Sequence, residues 1–203
     1  IKNISCDIVE HYTREILPNG FKAQVVGCSI VAAARYKYEI ENAIKEKIAL
    51  EEEKPEQEQD KELLKQMKFL KVALVVTMMD NNEPGYISNA RREAADLDAV
   101  ENFKKDFNYD KPETGVAILC VCDRLLTGFD APIEQAMYLD KNLQEHDLMQ
   151  AIARVNRTKV MKNGYVKEHG IVVDYYGVAN HLKEALKIYT QADEKELVDF
   201  SKY

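Results

Sequence analysis

Five stretches of this chain are apolar at almost every position, and the segments between them are polar or periodic. They are AQVVGCSIV (23–31), KVALVVTMMD (71–80), GVAILCVC (115–122), QAMYLD (135–140) and HGIVVDYYG (169–177). An unbroken apolar run, rather than one alternating with polar residues, predicts a strand covered on both faces. After the first run, VAAARYKYEIENAIKEKIALEEE (31–53) is rich in Ala, Glu, Lys and Ile and predicts a helix. Residues 92–106 carry apolar positions at helical period, and 143–157 and 178–191 do the same. NNEPG (81–85) has turn chemistry. Buried strands alternating with helices predict an α/β fold: an open parallel β-sheet of about five or more strands with helices on both faces.

The chain has 203 residues, 46% of them hydrophobic, enough for one large domain with its own core. Residues 1–19 are expected to form a helical lead-in, 20–178 the domain, and 179–203 a helix leaving the sheet toward a following domain. The first residue is Ile, as in a piece cut from a longer polypeptide. The net charge of −7 argues against a broad basic surface, yet EEEKPEQEQDKE (51–62) alone contributes −5 of it. The remainder is near neutral and able to hold a phosphate chain through a few local contacts. The acidic stretch, with Pro55 breaking the preceding helix, is expected to be a solvated insertion over about 51–66, and its composition is that of an unordered segment. No apolar run approaches the roughly 20 residues that span a bilayer. Cys6, Cys28, Cys120 and Cys122 form no CxxC pair, and no spacing to His146 or His169 fits a metal site. Reduced thiols in the cytoplasm are the expectation.

In open parallel sheets ligands bind beyond the carboxyl ends of the strands. That places Ser29 after the first run, Thr77 to Asp80 at the end of the second, and DRLLTGFDAP (123–132) after the third. Within GFDAP, Gly128 leaves room for an approaching backbone, Asp130 offers an acceptor and Pro132 fixes the exit. Taken alone this is a tight turn capped by an Asx side chain. The next helix carries QAIARVNR (150–157), preceded by Asn142 and Glu145 at capping-box spacing. At 100° per residue Gln150, Arg154 and Arg157 fall within about 60° of one another, opposite an aliphatic stripe of Leu148, Ile152 and Val155. A charged stripe is ordinarily a solvated face. This one has two arginines and no acid at i±4, and fixed guanidinium forks suit phosphate.

GFDAP followed by QAIARVNR resembles motifs V and VI of superfamily 2 helicases and translocases. The succession LLTGFDAP, MYLDKNLQEHDLMQAIARVNRT and GIVVDYYG is most similar to the motor (R) subunit of type I restriction–modification enzymes, over residues 20–180 or so. The resemblance implies a second RecA-like motor domain. It assigns Arg157 as an arginine finger, Arg154 as a second phosphate contact, and Gln150, Gly128 and Asp130 as nucleotide-side residues. Ser29, Thr77, Cys122, Asp123 and Arg124 become contacts to the DNA backbone. Cys122 stands where Thr is common, and Ala153 and Asn156 where Gly is common, which puts the Cys122 phosphate contact in doubt.

For the whole subunit the resemblance implies ATP and Mg²⁺, bound mainly by a first motor domain, with double-stranded DNA and modification and specificity subunits as partners. No GxxxxGK[ST], no DExH-type acid pair and no nuclease core occurs in this chain, so alone it is expected to hydrolyse nothing. Two other readings remain open. One is a motor domain of another superfamily 2 machine, of type III restriction or repair. The other is a non-catalytic α/β module whose arginines bind an acidic partner.

Overall fold

The computed structural model describes residues 1–177 apart from 80, 81, 127 and 163. The helix expected over 179–203, and Asp80 at the end of the second run, lie outside the described residues.

The five apolar runs become β1 (Lys22–Gly27), β2 (Lys71–Val75), β3 (Val116–Val121), β4 (Glu134–Asp140) and, after the two short strands introduced below, β7 (Ile171–Asp174). They form one sheet in the order β2-β3-β1-β4-β7, parallel at every pairing. This is the expected α/β architecture, of RecA-like kind. Every residue of β1 and β3 is buried, which is why their sequences show no alternation.

The first and second runs overshoot their strands. β1 stops at Gly27 because Ser29 turns the chain: its hydroxyl accepts the Ala32 N–H at 3.1 Å and caps α2 (Ile30–Glu52). The apolar Ile30 and Val31 belong to that helix. β2 likewise ends at Val75, leaving Thr77 and Met78 exposed at its tip.

The acidic stretch is folded. α3 (Lys61–Phe69) begins inside it, capped by the Asp60 carboxylate on the Leu63 N–H at 2.9 Å. Gln59 donates to the carbonyls of Glu52 and Lys54, and the part-buried Glu51 accepts the Asp60 N–H. Local side-chain to backbone bonds thus build a connector that composition alone does not foresee. The helix expected over 92–106 is two helices, α4 (Gly85–Asp96) and α5 (Ala99–Phe103), divided at Asp98, whose φ is +45°. Ahead of the sheet, α1 (Lys2–His11) continues through one π turn and one 3-10 turn, burying Ile8, Val9, Tyr12 and Ile16 in the core.

α2 lies on one face, with α1 packed on it, while α4 packs on the edge strand β2 and also reaches α2, and α5 lies on the other face. α6 (Glu145–Val155) connects β4 to β7 on that second face. A small antiparallel hairpin of β5 (Lys159–Val160) and β6 (Val166–Lys167) lies between α6 and β7. Because all five sheet strands run the same way, one edge collects their carboxyl ends and the opposite edge their amino ends.

Candidate functional site

The candidate residues fall into two groups, joined by one loop. β3 ends at the carboxyl edge and β4 starts at the amino edge, so the chain from 122 to 133 crosses the sheet, and its described residues form no helix or strand. Leu126, Phe129, Ala131 and Ile133 bury along the way and hold the loop to the core. Two of its residues have positive φ, Leu125 at +69° and Gly128 at +73°. The first strains an L-residue by about 1–2 kcal/mol, and the second is where glycine removes that cost.

What keeps this shape is Arg154. From α6 its Nη1 donates to the Leu125 carbonyl at 2.9 Å and the Phe129 carbonyl at 3.2 Å. Arg157 follows the last turn of α6 and forms an ion pair with Asp130, both side chains about half exposed. The stripe read from the sequence as lacking an acid partner therefore has one. It comes from the loop, which spacing within a helix cannot reveal. Gln150 does not join the loop: its Nε2 lies 2.8 Å from His146 Nε2, one turn back on the same helix. The apolar side of α6 is Leu148, Ala151 and Val155, with Ile152 part-buried. The helix starts after Gln144, which makes no side-chain cap, rather than after Asn142. Asn156, where glycine is common in the resembling motif, accepts the Gly170 N–H at 2.8 Å and ties the helix end to the start of β7. That contact brings the backbones so close that a Cβ on Gly170 would meet the Val155 carbonyl oxygen at 2.3 Å.

Where the loop enters β4, ionisable groups are buried without an obvious sequence signal. Lys167, from β6, is fully buried and donates to the carbonyls of Pro132 (2.8 Å) and Glu134. Burial brings its ammonium down to about 8, against the pull of Glu134. The Glu134 side chain is 2% exposed, and its Oε1 has no hydrogen-bond partner among the described residues. Burial pushes its carboxyl up to about 8, with the nearby charges of Lys167 and Arg154 opposing. Arg154 and Lys167 thus satisfy three carbonyls of a crossing that has no ladder of its own, and that of Glu134 where β4 begins.

The second group stands at the carboxyl edge. Lys141, just past β4, pairs with the Asp123 carboxylate and reaches the Cys122 carbonyl at 3.3 Å. Its hydrogen bond holds Asp123 below the ordinary carboxylate range. The Cys122 side chain is buried, and burial raises its thiol to about 11, so its sulfur is not displayed to solvent. Arg124 is exposed and Thr77 is exposed at the neighbouring tip. The Ser29 hydroxyl is exposed but engaged as the α2 cap. Lys141 escaped the sequence reading although the rule that singled out the other strand ends also covers it. Among the described residues no group of three His, Cys, Asp or Glu side chains is placed to hold a metal ion. None of the described helices is long and apolar enough to cross a membrane.

Residues 19–177 match the family described as type I restriction enzyme subunit R domain 3. Over 199 residues, 98% of the chain, it is 31% identical to a Methanocaldococcus jannaschii protein called putative type I restriction enzyme MjaIXP endonuclease subunit. A second protein of that organism, the putative MjaVIIP endonuclease subunit, is 33% identical over 87% of the chain. The type I restriction enzyme HindI endonuclease subunit of Haemophilus influenzae is 45% identical over 87 residues, 43% of the chain and 8% of its own length. The chain spans about one-sixth of the two archaeal relatives.

Proposed function

Because the chain belongs to the family of type I restriction enzyme subunit R domain 3, we propose that it works as the second motor domain of an ATP-dependent DNA translocase. In this reading it is one part of a restriction endonuclease subunit. That subunit acts in the cytoplasm on double-stranded DNA, together with modification and specificity subunits. The observation that supports the reading best is the meeting of α6 with the 122–133 loop, where an exposed guanidinium, Arg157, stands beside an exposed carboxylate, Asp130.

MgATP, when bound, supplies a phosphoryl group whose transfer to water spreads negative charge over its equatorial oxygens. This chain has no phosphate-cradling glycine loop in its sequence, and among the described residues no cluster of acids for the ion. ATP and Mg²⁺ therefore belong mainly to the first motor domain, and the fragment alone is inactive. What this chain fits is one wall of a cleft. Arg157 leaves Asp130 and brings its guanidinium to the charge that develops, an effect worth roughly 10³–10⁵ in rate for fingers of this kind. Asp130, released, becomes an acceptor for the nucleotide. Arg154 holds the loop in shape, and Gln150 with His146 borders the same helix face. At the carboxyl edge Ser29, Thr77, Asp123 with Lys141, and Arg124 follow the DNA backbone through main-chain and side-chain donors, without reading sequence.

The test is DNA-stimulated ATP hydrolysis by the complete subunit, wild type against Arg157→Ala, with nucleotide binding measured separately. A loss of several hundredfold or more with binding retained fits the finger. Unchanged turnover makes the stripe a docking face and removes the motor reading of this domain.

A further inference from the structure

Below the tip of β2 the structure has a cleft of about 580 Å³ between α4, α5 and the beginning of the 122–133 loop. α4 lines it with Ser88, Arg91 and Arg92, the turn into α5 with Asp98, α5 with Glu101, and the loop with Arg124. Three guanidinium groups from two separate elements thus meet in one concavity of a chain whose net charge is −7.

The charges do not cancel locally. Glu83 binds Arg91 Nη2 at 2.9 Å, and Glu101 is taken by Lys104 at 2.6 Å. Among the described residues no carboxylate lies in ion-pair range of Arg92 or Arg124, which leaves two open cations against Asp98. Arg124 makes only a long contact, 3.4 Å, to the Val76 carbonyl. The Nε of Arg91 is buried and has no hydrogen-bond partner among the described residues.

We propose that this cleft holds a phosphate of a nucleic-acid backbone, with Arg92 and Arg124 as its contacts and Arg91 completing the donors. The inference rests on the motor reading, and it adds the α4 arginines, which no motif singles out, to the surface that carries DNA. Planar guanidinium forks match phosphate oxygens in pairs. Val76 and Arg124, which line the cleft, are the chain neighbours of Thr77 and Asp123, so a strand lying along the carboxyl edge passes close to it. A backbone phosphate, rather than a free one, accounts for that position.

Binding of a fluorescent short duplex to the complete subunit, without ATP and at a series of salt concentrations, tests this. Arg92→Gln weakens binding several-fold for two unrelated sequences alike and lowers the slope of log affinity against log salt by about 1. Arg92→Lys restores the slope. Arg35→Gln, which removes an exposed arginine on α2, leaves it unchanged. ATP binding is the same in all of them. An unaltered slope in Arg92→Gln overturns the inference while leaving the Arg157→Ala result to decide the motor reading. Displacement of the duplex from wild type, but not from Arg92→Gln, by inorganic phosphate at low concentration assigns the cleft to free phosphate and also overturns it. A wild-type subunit that binds no duplex overturns both readings.

Discussion

Glu134→Gln separates a neutral buried carboxyl from a buried ion pair. Glu134 is 2% exposed and its carboxyl is raised by burial from 4.5 to about 8. Its folded-state value lies above its unfolded value, so the folded chain holds a proton that the unfolded chain releases between those limits. Stability is therefore complete below about pH 4.5 and falls as pH rises toward 8. At pH 7 the difference is 2.5 units, or about 3 kcal/mol at 1.36 kcal/mol per unit. Glutamine keeps the shape of the protonated acid and does not titrate, but it buries an extra N–H at a cost of about 1 kcal/mol. The expected gain from Glu134→Gln is thus about 2 kcal/mol at pH 7, shrinking to a loss of about 1 near pH 4.5. For a domain of this size that is a rise in Tm of roughly 4–8 °C at pH 7. Lys22 and Lys167 stay charged in the unfolded chain throughout this range; Lys22 enters variant and wild type alike, whereas Lys167 feels the pull of Glu134, so the difference between the two curves reports Glu134 together with its effect on Lys167. Urea unfolding at half-unit intervals from pH 4.5 to 7 measures it. A variant less stable than wild type at pH 7 by several kcal/mol refutes the reasoning. It would mean that Glu134 is ionised and that Lys167 and Arg154 hold it so.

Arg154→Met removes both donors to the Leu125 and Phe129 carbonyls. It costs about 2–3 kcal/mol and speeds amide exchange across 122–133 more than in β3 or β4; uniform acceleration would contradict a local clamp. Gly128→Ala meets no atom within 4 Å, so only its φ of +73° opposes it, and urea unfolding shows a loss of about 1–2 kcal/mol; a neutral substitution would show the loop adopting another backbone shape. With a thiol reagent at pH 7.5, Cys6 and Cys28 react fast because they are exposed. Cys120 and Cys122 react only on unfolding, since both are buried and burial raises both thiols, Cys122 to about 11; fast labelling of Cys122 in the folded chain would contradict its burial.

The sheet was legible because burial on both faces writes itself as apolar runs, and nothing else in the chain competes with that signal. Boundaries were not, wherever a single residue decided them. Ser29 ends β1 inside an apolar run, and Asp98 breaks a helix whose periodicity continues across it. Spacing alone grouped Gln150, Arg154 and Arg157 on one helix face, yet α6 ends before Arg157 and Gln150 turns to His146. The acid partner of Arg157 was not legible, because Asp130 reaches Arg157 only after the loop has crossed the sheet. Lys22, Glu134 and Lys167 were invisible for a different reason: a charged residue in a sequence is read as exposed. Lys22 lies under α5, donating to the Asn102 and Thr114 carbonyls at 3.0 Å, with burial bringing it down to about 7. Its context betrays nothing of this.

The crossing at 122–133 explains why Lys167 is buried and why Arg154 turns inward beside it. A parallel connection of this kind ordinarily contains a helix, which satisfies its own carbonyls. Here the chain crosses bare, and its carbonyls accept instead from Arg154 on α6 and Lys167 on β6, both of which come later in sequence. The loop therefore takes its shape only once α6 and the hairpin have docked, and any shift of α6 is felt at both ends of it. One end carries Arg124 at the carboxyl edge, and the other carries Asp130 beside Arg157. In the motor reading proposed for this chain, that mechanical link is what a translocase would require: a change in what Arg157 holds would pull on the segment proposed to lie against the DNA. Arg154→Lys tests the link apart from the finger. It keeps a cation on α6, but the lysine side chain is shorter, so its nitrogen falls short of the two carbonyls that Arg154 Nη1 reaches, and it should uncouple ATP hydrolysis from DNA stimulation while leaving the basal rate near wild type. A fall in basal and stimulated rates by the same factor would instead make Arg154 a phosphate contact.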